Sequence, residues 1–205
     1  MAKKAAVIYI LAVLFGNLTA TAFIPFPVFG QLAIGTLIFG VTFTQRDRMH
    51  SAGGRKFVYK VIALTAVLTL AMLLSATYLW GHPLAKFLEA HGWKWMAGSI
   101  DSMSTGGPRV FVASFLAIIL AESADTEIYH RLRERSWAVR VLRSNMVSVP
   151  MDSIIFNVVA FAGWFSPLML AQIIFGEIVT KFTVSAIYAI LPEKKEAVAA
   201  EPRRV

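Results

Sequence analysis

The 205-residue chain has no cysteine, which removes disulfides, thiolate metal sites and cysteine nucleophiles together. Histidine is scarce as well. His50, His82, His91 and His130 stand apart in loops or at segment ends, and none has a second ligand at metal spacing, so no metal centre is expected. The motifs of catalysis are missing too: there is no G-x-S-x-G, no histidine near a serine inside an apolar stretch, and no P-loop. Neither an intramembrane hydrolase nor an ATPase is supported, no cofactor is implied, and the chain reads as a non-enzyme. Charge is sparse. Only 16% of residues are charged against 57% apolar ones, and the mean hydropathy of +0.64 lies outside the soluble globular class.

What is present is a series of apolar segments close to the ~20 residues that a helix needs to cross a bilayer. They run from Ala5 to Ile24, Val28 to Thr44, Phe57 to Trp80, Arg109 to Leu132, Asn145 to Phe165 and Leu168 to Leu191, the last ended by Pro192. The first is too long and too polar at its end for a cleaved signal peptide, so it is expected to be retained. Pro25-Phe26-Pro27 stops its helix, because proline lacks a donor and restricts its predecessor, and the chain turns and re-enters at once. The longest connection, residues 81–108, carries an apolar face of Leu84, Phe87 and Leu88 followed by Trp93 and Trp95, a composition suited to lying on the membrane surface. Residues 193–205 are polar, alanine-rich and expected to be disordered. Residues 1–192 therefore read as one all-α domain, a bundle of six transmembrane helices.

A net charge of +8 would suggest nucleic acid in a soluble protein. Here the cations gather in alternate short loops, which is a topology signal and implies no nucleic-acid partner. Sixteen of the twenty Lys and Arg fall on one side: Lys3 and Lys4, the loop with Arg46, Arg48, Arg55, Lys56 and Lys60, the loop from Arg131 to Arg143, and the tail. By the positive-inside rule both termini are cytoplasmic.

Against that background the charges inside the segments stand out. Glu122 and Asp125 lie in the fourth segment, Asp152 in the fifth, and Glu177 and Lys181 in the sixth. At ~1.5 Å per residue, Glu122, Asp152 and Lys181 come to a similar depth. A charge there costs ~3 kcal/mol or more, so it faces a bundle interior or a watery cavity. Asn145, Ser148 and Asp152 share one stripe of their helix, and Asp125 lies one turn below Glu122. Lys181 can neutralise Glu177 or Asp152, but four acidic groups against one cation leave carboxylates that must pair, protonate, bind something or reach water. A polar cavity among segments one, four, five and six is expected. Glu127, near the cytoplasmic end and on another side of its helix, is left out of it. Gln31, at the outer end of segment two, is either a ligand contact or an amide facing water. Ala12, Gly16 and Ala20 recur every four residues on segment one. That small-residue face serves either internal packing or an external contact, with a second copy or an energising partner.

Carboxylates and amides near aromatic rings suit a neutral or cationic planar solute. Carboxylates accept from its N–H groups, amides meet mixed edges, and rings stack on its face. Transport of a small molecule across the lipid bilayer is the natural function.

The run Glu122-Ser-Ala-Asp125-Thr-Glu127-Ile-Tyr129-His-Arg131-Leu132, followed by Arg143-Ser144-Asn145, Ser148 and Asp152-Ser153-Ile-Ile155-Phe156, resembles the vitamin-uptake-transporter family, whose members include bacterial queuosine precursor transporters. The stretch from Gly35 to Arg55, GTLIFGVTFTQRDRMHSAGGR, is similar to the one after that family's second segment. The resemblance implies a multi-pass protein of the bacterial inner membrane. It also implies a six-helix bundle like the substrate-binding components of energy-coupling vitamin transporters, importing a 7-deazaguanine such as preQ0 or preQ1 for tRNA modification. For such a base, Glu122 or Asp152 would accept from N1–H and the 2-amino group, and Asn17, Gln31 or Asn145 would meet O6 and N7. Lys181 would set the charge of the cavity or contact a carbonyl, and Phe15, Phe156 or Trp164 would stack. Asp125 and Glu177 complete the expected contacts. Three other functions stay open: a vitamin-binding subunit that works only with a separate energising complex, a proton-coupled transporter in which Glu122 or Asp125 titrates, and a structural membrane subunit without substrate.

Overall fold

The computed structural model describes residues 2–26 and 30–190; Leu191 and the tail at 193–205 lie outside them. Helix α1 (Ala2–Leu18) ends earlier than expected. Thr19 Oγ1 donates to the Phe15 carbonyl at 2.9 Å, and the chain then forms strand β1 (Phe23–Phe26) instead of running helically to Ile24. Strand β2 (Gly30–Ala33) pairs with it antiparallel, Phe23 opposite Ala33 and Pro25 opposite Gln31. A two-stranded ribbon consists of edges, where proline costs no ladder bond. Pro25 thus sits within a strand pair, the expected start of segment two at Val28 lies outside the described residues, and the next helix starts at Ile34.

Helix α2 (Ile34–Ser75) also corrects the expected loop between Thr44 and Phe57, because that stretch is helical. The single break is at Gly54, where φ 73° and ψ 172° lie in a region that glycine enters without penalty. Early in α2, Gly35 and Phe39 meet Gly16 of α1. Past Gly54, Val58, Val61 and Ile62 share a core with Ala5, Ala6 and Tyr9, and Met72 reaches the neighbourhood of Leu18. The two halves of α2 therefore lie along α1 in opposite directions.

A π-turn (Ala76–Trp80) leads into α3 (Gly81–Ala90). Phe87, Trp93 and Trp95 are exposed in this region, and the expected connection up to Pro108 is helical from Lys94 on. Helix α4 (Lys94–Ala117) contains Pro108, and the chain bends there by 86°, as a helix-internal proline permits by removing a bond and crowding the preceding turn. A second π-turn (Ile118–Glu122) passes into α5 (Ser123–Arg131). Helices α6 (Trp137–Phe161) and α7 (Pro167–Ile190) follow, α6 starting about two turns before the expected Asn145.

Beside its apolar core the protein buries many polar side chains and exposes many large apolar ones. Thr42, Thr65, Asn145, Ser148 and Asn157 are buried, whereas Val7, Leu11, Leu64, Val67, Leu142, Met146 and Phe175 are exposed. Lipid, unlike water, tolerates that exterior. Among the described residues, three helices are long and apolar enough to cross a membrane, or four if the pair bent at Pro108 is one span. The protein is a mostly helical, multi-pass membrane protein.

Candidate functional site

The buried charges form two layers, one to two helical turns apart along the contributing helices. In the upper layer Lys181 of α7 donates to Asp152 Oδ2 at 2.8 Å, to Glu177 Oε2 at 2.8 Å and to Ser153 Oγ at 3.0 Å. An ammonium has three donors, and all three are used. Asp152 and Ser153 come from α6; Glu177 lies one turn from Lys181 on its own helix, where residues four apart are neighbours. The Phe39 ring of α2 lies 5.7 Å from the Lys181 nitrogen.

In the lower layer Arg46 of α2 pairs with Glu122 at 2.5 Å and Asp125 at 2.8 Å, with Asn145 Oδ1 at 3.5 Å from Nη2. Asn145 donates to Ser185 Oγ at 2.7 Å, and Ser148 donates to Asp125 Oδ1 at 2.7 Å. Phe43 lies under the guanidinium at 5.0 Å, repeating one turn down the relation of Phe39 to Lys181. The expected lone cation is therefore joined by a second. Arg46 is only 1% exposed. Standing among other arginines, it reads in the sequence as part of the basic loop. The signal that could have found it is the helical polar run Thr42, Thr44, Gln45, which carries the second segment past Thr44.

Between the upper layer and the hairpin lies a cavity that leaves about 20 Å³ for the centres of water molecules, enough for one water and too little for an aromatic base. Its charged edge is Asp152, Glu177 and Lys181; Thr36 and Ser114 add hydroxyls, Phe39 and Phe156 add rings, and Gly16, Gly35, Ala20 and Ala33 supply backbone and small walls. The walls approach closely for a physical reason. A Cβ built on Gly35 would stand 2.4 Å from the Gly16 carbonyl oxygen.

Of the expected contacts, the structure thus brings Asp152, Glu177, Lys181 and Phe156 to the cavity. Glu122, Asp125 and Asn145 are buried in the lower layer, tied to Arg46. Asn17 is buried and committed: its Nδ2 donates to the Val13 carbonyl at 2.9 Å and its Oδ1 accepts from Ser114 at 2.6 Å. Gln31 sits on β2 outside the cavity lining, half-buried. Phe15 is exposed on the outer face of α1, among the apolar residues of a shallow groove with Leu11, Leu37 and Met72. Trp164 is half exposed beyond the end of α6, 5.7 Å from the Arg109 guanidinium. Thr36, Phe39 and Ser114 were not anticipated, since nothing in one sequence distinguishes them from packing residues. Ala12, Gly16 and Ala20 are all buried inside the protein, with Gly16 packed against Phe39 and Gly35. No group of three or more metal-ligating side chains occurs among the described residues.

Compared with known proteins, residues 33–192 match a family described as "putative vitamin uptake transporter". Neither the curated proteins nor the solved structures gave a match.

Proposed function

We infer the function from the premise that the chain belongs to the vitamin uptake transporter family: it imports a small planar nitrogenous solute, a 7-deazaguanine such as preQ0 or preQ1, across the bacterial inner membrane. Six passes with both termini cytoplasmic fit this function, α2 contributing two passes about Gly54. One observation carries the substrate class. Two carboxylates, Asp152 and Glu177, share one buried ammonium at the edge of a cavity that also holds the Phe39 and Phe156 rings.

Each carboxylate has acceptor capacity beyond the one oxygen given to Lys181. The N1–H and 2-amino donors of a guanine-like edge match that capacity, the Ser114 and Thr36 hydroxyls suit O6 and N7, and Phe156 offers a stacking face. With its cavity water-sized, the closed protein must open to admit a base, so the Gly16–Gly35 contact and the hairpin above it are the walls that part. Binding then sets the solute's donors in competition with Lys181 for the carboxylates, and the surplus decides affinity.

Uptake of labelled preQ1 by proteoliposomes tests this. Saturable uptake, blocked by excess preQ0 and abolished in Glu177→Gln, is expected. Uptake of unrelated solutes only, or none above empty vesicles, would remove the assignment.

A further inference from the structure

Asp47 follows Arg46 on α2 and is 1% exposed, yet neither of its carboxylate oxygens has a hydrogen-bond partner among the described residues. Both terminal nitrogens of its neighbour Arg46 serve Glu122, Asp125 and Asn145, and the Arg46 Nε has no hydrogen-bond partner among the described residues. The lower layer thus holds three carboxylates around one committed guanidinium. The charged and titratable groups facing Asp47 are Arg46 on α2, Glu122 on the π-turn, Asp125 and Tyr129 on α5, and Arg140 on α6. The Arg140 guanidinium is held over the Tyr129 ring at 3.9 Å. His50 lies one turn further along α2, stacked edge-on with Tyr129 at 4.9 Å and near His130 at 5.6 Å.

An anion so placed, with no donor for either oxygen, carries the full desolvation cost, and a buried carboxylate avoids that cost by holding a proton. We propose that Asp47 is a proton-carrying group that holds its proton in this closed state and releases it toward the cytoplasm, so that solute entry is coupled to proton entry. The coupling rests on the transport function argued above; the proton on Asp47 does not. In the step, the carboxyl O–H bond breaks, the proton passes to water at the cytoplasmic face, and the electron pair stays on the carboxylate. That carboxylate then takes Arg46 as its partner as the guanidinium leaves Glu122 and Asp125. Arg46 lies two helical turns below Phe39, so its release also unties α2 from α5 beneath the cavity. Reprotonation from the outer side resets the group.

Infrared spectroscopy of the purified protein in lipid at neutral pH tests the proton directly. The expected result is the carbonyl stretch of a protonated carboxylic acid, absent in Asp47→Asn and retained in Asp125→Asn. Asp47→Glu keeps the acid and shifts the band, which serves should the asparagine variant fail to fold. A wild-type protein without that band, or a band indifferent to both Asp47 changes, overturns the proposal. In proteoliposomes, an inward proton gradient should accelerate preQ1 uptake several-fold in wild type and leave Asp47→Asn unmoved. Uptake that ignores the gradient overturns the coupling while transport stands. Vesicles that take up no deazaguanine count against the transported solute, and the infrared result still decides for Asp47.

Discussion

Replacing Lys181 by Met removes one charge and little volume, since both side chains are long and unbranched. In the native protein Lys181 is 3% exposed and its three donors go to Asp152, Glu177 and Ser153. The variant strands two carboxylates that are 7% and 2% exposed. Removing one member of a buried ion pair costs about 3–5 kcal/mol, mostly for the charge left behind. At ~2–4 °C per kcal/mol for a chain of this size, the melting midpoint should fall by roughly 10 °C. Thermal unfolding in detergent at neutral pH measures it. The informative companion is the triple variant Asp152→Asn, Glu177→Gln, Lys181→Met, in which no charge remains to strand. It should recover most of the loss, a coupling well above the ~0.5 kcal/mol expected of independent sites. If Lys181→Met melts with wild type, or the triple variant is no better than the single one, the upper layer is not the closed ion cluster described.

Gly35→Ala places a methyl 2.4 Å from the Gly16 carbonyl and should destabilise by about 1–3 kcal/mol; unchanged melting would show that α1 and α2 separate freely. Phe156→Ala should weaken ligand binding about tenfold, near the upper end of what ring stacking contributes, whereas Phe15→Ala should leave it unchanged; equilibrium binding of preQ1 to the two variants checks this. Glu127 makes exposed ion pairs with Arg55 at 3.1 Å and Arg131 at 3.4 Å, so Glu127→Gln should alter stability by no more than about 0.5 kcal/mol. A larger drop in its melting curve would mean that the Gly54 turn depends on that pair.

The sequence carried much of this organisation because a bilayer constrains so strongly. Apolar length marks helices, and the expense of charge at depth singles out Glu122, Asp125, Asp152, Glu177 and Lys181, all of which are buried. Equal depth set Lys181 beside Asp152 or Glu177, and it pairs with both, but the same reckoning set Glu122 level with Asp152, whereas Glu122 is tied to Arg46 in the lower layer. Arg46 was hidden because periodicity cannot say where a helix leaves the membrane when glycine, not proline, makes the turn: the break waits for Gly54. The β1–β2 hairpin was hidden because two prolines mark an interruption without specifying its form. Phe15 and Trp164 were misplaced by a different ambiguity. An aromatic ring on a membrane helix is equally at home against lipid and against a solute, and only the helix's rotation decides. That rotation is set for α1 by Gly16 packing on Phe39.

The most direct measurement is ligand-induced thermal stabilisation of the detergent-purified protein against preQ0, preQ1, queuine, guanine, biotin and riboflavin. A ligand at about 100 times its dissociation constant should add ~2.7 kcal/mol, a shift of several degrees. The expected result is stabilisation by the 7-deazaguanines that disappears in Asp152→Asn and Glu177→Gln and survives in Glu127→Gln. Stabilisation that survives in both cavity variants, or no response to any of the six compounds, would contradict a solute site at Asp152, Glu177 and Lys181.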